Sequence, residues 1–124
     1  MALKIKLSNG NEYEVLADTA VYPSGSNVVR NRIEIHMTTE AMGTSDFEAL
    51  FMNESLTASM HLINDDEKVG FDTLYENYSY PARIGKERVT KYDVTTAKAT
   101  DETHLVAVLE QYTYIEQQIK KVLI

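Results

Sequence analysis

The sequence predicts a mainly β (α+β) domain: an antiparallel barrel or sandwich of six or seven strands, with a short mid-chain helix and a helix at the C-terminus. Four observations carry this reading. Asn9-Gly10 interrupts an alternating run, and this dipeptide accepts the positive φ angles of a tight hairpin turn. The polar stretch Asn64 to Lys68 separates two further alternating runs, and residues 83–97 are dense in β-branched side chains. Sustained helical spacing is confined to the end of the chain.

In order along the chain, "LKIKLSNGNEYEV" sets Leu3, Ile5 and Leu7 on one side of a first strand and returns through Tyr13 and Val15. Pro23, Ser24, Gly25 and Ser26 read as loop chemistry. From Val29 to Met37, Val29, Asn31, Ile33, Ile35 and Met37 form one face of a half-buried strand; Val28, Arg30, Arg32, Glu34 and His36 form the other. After Gly43, Ser45 and Glu48 stand at capping-box spacing before Phe47, Leu50 and Phe51, which predicts about two turns of helix. Leu56, Ala58, Met60 and Leu62 then make one strand face, answered after the turn by Val69, Phe71, Thr73 and Tyr75. Pro81 lacks a ladder donor, so the returning strand should bend, end or lie at an edge there, and Gly85 marks a turn or bulge. "KATDET" reads as a polar break before the closing segment.

That segment, "HLVAVLEQYTYIEQQIKKVLI", carries two periods. Leu105 to Leu109 is apolar on both faces, which suits a strand inside a sheet. From Tyr112 the three-four spacing of Tyr112, Ile115, Ile119 and Val122 predicts a helix, with Lys120 and Lys121 complementing its C-terminal dipole. The expected division is a β domain over 1–111 and a helix over 112–124 that packs on the domain or on a partner subunit.

With 124 residues, a formal charge of −7 and 44% hydrophobic residues, the chain suits one folded core, and its overall field repels phosphate backbones. The short basic stretch "ARIGKERVTK" includes Glu87 and reads as a solvated strand face, so no nucleic-acid partner is expected. No apolar run is long enough for a membrane span, and "MALKIKLSNG" has a strand pattern in place of a signal peptide. Absent cysteine excludes disulfides and thiolate sites.

No constellation of residues announces catalysis. His36, His61 and His104 sit in different predicted strands without metal-ligand spacing, and the carboxylates of "NDDE" at Asn64 to Glu67 lack the glycine and distal glutamate of a calcium loop. No serine elbow or phosphate loop occurs, so the expectation is a non-enzyme with no metal and no cofactor. Tyr75, Tyr78 and Tyr80 offer aromatic area, with Tyr78 and Tyr80 on one strand face as a possible glycan-stacking pair. The plainer reading buries Tyr75 in the core and lays the other two over a sheet edge.

The order of these pieces resembles small proteins encoded in the tail modules of phages and prophages of Gram-positive bacteria. The resemblance rests on "LKIKLSNGNEYEV", the central "SLTASMHLINDDEKVGFDTLYENY" hairpin and a strand running into a helix, "LVAVLEQYTYIEQQI". It implies a structural or accessory tail component, assembled in the host cytoplasm and carried in the virion, with other tail proteins as partners and no catalytic residues. Self-association as a dimer or trimer is expected through Tyr112, Ile115, Ile119 and Val122. The alternatives are a carbohydrate- or receptor-binding module using Tyr78 and Tyr80, and an acidic mimic of nucleic acid that binds a basic partner.

Overall fold

The computed structural model describes residues 3–23, 30–68 and 70–123, without the side chains of residues 114 and 120–123. The predicted positions Ser24, Gly25, Ser26, Val28, Val29, Val69 and the side chain of Val122 lie outside these residues. The described residues form eight strands: β1 (Leu3–Lys6), β2 (Glu12–Glu14), β3 (Ala20–Tyr22), β4 (Arg32–Thr38), β5 (Ser59–Asn64), β6 (Phe71–Glu76), β7 (Tyr80–Asp93) and β8 (Lys98–Glu110). Three helices, α1 (Thr44–Phe51), α2 (Glu54–Thr57) and α3 (Tyr114–Leu123), complete the described elements.

The strands form two antiparallel four-stranded sheets, ordered β2-β1-β5-β6 and β3-β4-β8-β7. The mainly β expectation holds, with eight strands in place of six or seven and no closed barrel. No ladder joins the two sheets, and β2 and β3 are edge strands of three residues each, too short to bridge them. The strand β3, just before the predicted loop residues, pairs Val21 with Ile33; so short a run has too little alternation to be legible.

Both sheets turn their alternate residues onto one core. Ile5, Met60 and Leu62 contribute from the first, and Ile33, Ile35, Met37, Leu105, Ala107 and Leu109 from the second. Helix α1 adds Phe47 and Phe51, whose rings lie 4.9 Å apart, each buried side chain contributing roughly 1.5–3 kcal/mol of transfer free energy. The predicted Ser45–Glu48 box does not form: Gly43 is the N-cap, and no side chain caps this helix. Leu56 and Ala58 fall in and after α2, because Asn53 caps that turn by accepting from the backbone N–H of Ser55. The strand therefore starts at Ser59.

The hairpins obey their turn residues. Gly10 has φ +88° between β1 and β2. Between β5 and β6, Asn64 accepts from the N–H of Asp66 and Asp66 from that of Lys68, and Gly70 passes so close to the carbonyl of Asp66 that a Cβ would collide with it. Pro81 lies in β7, an edge strand, and the register slips there, between Pro81 and Arg83; Gly85 pairs regularly with Val106 and forms neither turn nor bulge.

The largest departure is at "KATDET". It is the first half of β8, paired with β7 from Asp93–Lys98 through Arg88–Thr103. β4 pairs with β8 only from Thr38–His104 inward. Beyond that rung the β7–β8 hairpin is a two-stranded ribbon, with six paired residues per strand spanning roughly 20 Å. Polar composition here marks solvent on both faces and not the end of a strand.

Candidate interaction surfaces

Helix α3 leaves the sheet through a short connection after Glu110, and its first turn is fastened to the body. Thr113 and Glu116 form a reciprocal capping box: the Thr113 N–H donates to Glu116 Oε1 at 3.1 Å, and the Glu116 N–H donates to Thr113 Oγ1 at 3.3 Å. The same carboxylate receives Arg30 in a bidentate pair, Nε at 3.0 Å and Nη2 at 2.7 Å. The Arg30 hydrogen bond, then the Thr113 backbone, hold the Glu116 carboxyl down at about 2. The spacing Thr-x-x-Glu was legible in the sequence; the guanidinium was not, since Arg30 lies far away in the chain.

Arg30 also covers the Tyr80 ring, 4.4 Å from its centroid, and Tyr112 meets that ring edge-on at 6.1 Å. Tyr112 donates its hydroxyl to Glu54 at 2.7 Å and its N–H to the Asn77 carbonyl. Gln111 joins in, donating from Nε2 to the Glu76 carbonyl and accepting from Asn31 Nδ2 at 2.9 Å. Of the predicted interface residues, Tyr112 thus serves as an anchor to its own domain. Ile115 and Ile119, one turn apart, are 69% and 52% exposed.

The predicted tyrosine pair separates. Tyr78 is 5% exposed and packs edge-on against Tyr75 at 5.7 Å, and burial, then Tyr75, push its pKa upward. Tyr78 therefore presents no stacking face, and Tyr80 has one face under Arg30. The reason is that the segment between β6 and β7 is not a strand: Asn77 takes φ +66° after β6, and the successive residues Tyr78 and Ser79 are both buried, so strand alternation does not run through to Tyr80.

Other exposed apolar residues include Tyr22 and Met52, Phe71 and Leu74 on β6, and Tyr92 and Val94 at the ribbon tip. Two of the basic residues of β7 are charge-paired: Arg83 with Glu87 at 2.6 Å, and Lys91 with Asp18 at 3.2 Å. An open depression of about 490 Å³ lies between β2 and α1, lined by Glu12, Tyr13, Glu14, Met37, Asp46 and Leu50 among others. Among the described residues no group of three or more histidine or carboxylate side chains converges as metal ligands, and no helix is long and apolar enough to cross a membrane. His61 bonds Asp72 at the surface, while His36 and His104 meet each other in the interior.

Comparison with known protein families, with curated proteins and with solved structures finds no match.

Proposed function

We propose that this chain is a non-enzymatic structural or accessory component of a phage or prophage tail, acting by self-association and by docking to other tail proteins. The observation that carries this reading is the apolar step Ile115–Ile119, held outward on a helix whose first turn is fastened by Arg30, Glu116 and Thr113. A ten-residue helix is marginal alone, and one that keeps its isoleucines in water gains its stabilising burial from a second surface. The ribbon, with unpaired edges and Tyr92 and Val94 near its tip, supplies a further contact element. The tail assignment itself rests on the resemblance in strand, turn and helix order.

Light scattering over a concentration series tests self-association. A dimer or trimer is expected; a strict monomer at high concentration overturns the reading. Truncation after Gln111 should reduce assembly while both sheets persist by circular dichroism. Loss of the sheets would make α3 a core element.

A further inference from the structure

His36 and His104 lie diagonally across the β4–β8 ladder at its last rung, where Thr38 pairs with His104. Their rings meet edge to face at 87°, with Nδ1 3.0 Å from Nδ1. Each remaining nitrogen faces a carboxylate two residues away on its own strand: His104 Nε2 lies 2.9 Å from Glu102, and His36 Nε2 lies 3.4 Å from Glu34. Both imidazoles are buried, His104 almost completely.

This row of four side chains has three contacts and four ring nitrogens. At the centre, one Nδ1–H donates to the lone pair of the other Nδ1, so that contact holds one proton. Each Nε2 must carry a proton as well, because an ionised carboxylate only accepts. Three N–H protons on two rings therefore satisfy the whole row. With two, one Nε2 lone pair faces a carboxylate oxygen; with four, N–H meets N–H between two cations at 3.0 Å.

We propose that Glu34, His36, His104 and Glu102 form a proton-binding site that clasps β8 to β4 at the root of the ribbon, closed around one central shared proton and opened by the arrival of another. Every neighbouring element contributes charge. Glu34 comes from β4 and Glu102 from β8. Asp18 comes from the segment before β3; desolvation raises its pKa, but Lys91 and, more weakly, His104 and His36 bring it below the usual value. From β7, Lys91 lies 3.2 Å from Asp18 and 3.5 Å from Glu102, while Glu87, the register partner of His104, is held by Arg83. The carboxylates stabilise a singly charged pair and Lys91 opposes it, but none changes the proton count at the central contact.

The direction with pH follows. In the unfolded chain both imidazoles take protons as pH falls through about 6.5. Above that range the two unfolded imidazoles hold two protons and below it four, against three in the closed row, so stability of the clasp is greatest near that range and falls on either side, through loss of the third proton as pH rises and gain of a fourth as pH falls. Because β8 gains β4 as a neighbour only at this rung, opening frees the ribbon root before the core.

Amide hydrogen exchange on the full chain at pH 5.0, 6.5 and 8.0, corrected for intrinsic rates, tests the clasp. Protection at His104 to Val106 and at Thr38, relative to β1 and β5, should be greatest near pH 6.5 and fall about fivefold or more at both pH 5.0 and pH 8.0. The double variant His36→Leu/His104→Leu, which removes both polar partners together, should lose that pH dependence. Level protection in the wild type, or an unchanged pH dependence in the double variant, overturns the proposal. Imidazole nitrogen shifts in the wild-type chain give a second test that requires no variant. Three protonated ring nitrogens are expected in the closed state, and two fully protonated rings with undiminished protection would overturn the clasp.

Discussion

The two halves of β8 are one continuous strand in opposite surroundings. His104 to Leu109 is buried at every residue, and Lys98 to Thr103 is exposed at every residue. The inner half has β4 on one side and β7 on the other, with Leu105, Ala107 and Leu109 in the shared core. The outer half has β7 alone. Backbone conformation is therefore not what separates them; the number of covering neighbours is. Composition tracks that number, with "HLVAVL" inside and "KATDET" outside.

The contrast breaks most visibly in the core. Leu105→Ala should cost about 2–5 kcal/mol in urea denaturation, through lost transfer energy and a cavity, whereas Thr100→Ala on the same strand should stay within about 0.5 kcal/mol. Equal effects at the two positions would mean that the ribbon is covered in solution. The two long-range hairpins differ in the same sense. Gly70→Ala forces a Cβ against the Asp66 carbonyl beside the β5–β6 turn, and a loss of roughly 1–3 kcal/mol is expected in the same assay.

At the C-terminus the expected effects are smaller and local. Thr113→Ala removes the cap of α3, costing about 1 kcal/mol in helix stability, read as faster amide exchange in α3 with the sheets unchanged. The Glu116 carboxyl is held at about 2, below its usual 4.5, so its contribution is fully present above about pH 4.5 and is lost as pH falls toward 2. Glu116→Gln should flatten that part of the acid profile of α3. The smallest effect belongs to the ribbon tip, where Ala97 has φ +54°. Ala97→Gly relieves a left-handed conformation that costs about 1–2 kcal/mol and adds a chain-entropy cost of about 0.5–1 kcal/mol. A small net gain, visible only in ribbon amides, is expected.

Much of the interior was legible because period-2 alternation is a local property. Ile5, Ile33, Ile35, Met37, Met60 and Leu62 lie where that alternation puts them, and Asn9-Gly10 turns as its chemistry requires. The ribbon was not legible, since a strand exposed on both faces carries no apolar signal and reads as a break. Nor was the separation of Tyr78 from Tyr80, which follows from an irregular segment in which Tyr78 and Ser79 are buried in succession. The Ser45–Glu48 spacing and the Thr113–Glu116 spacing look alike as text. Only the second forms, because Arg30 arrives to hold its glutamate while Gly43 caps α1 two residues earlier than the box required.

By itself the sequence determined a mainly antiparallel β chain, the residues available to its core, two of its turns and a helix at its end, because each follows from neighbours within a few positions. Tertiary structure alone decided that the strands form two sheets without closing, that β8 runs on past β4 into solvent, and that Arg30 and Glu116 meet across 86 positions. It also decided that His36 and His104 face each other. Register between distant strands is set by the packing of the whole core, and no window of sequence contains it.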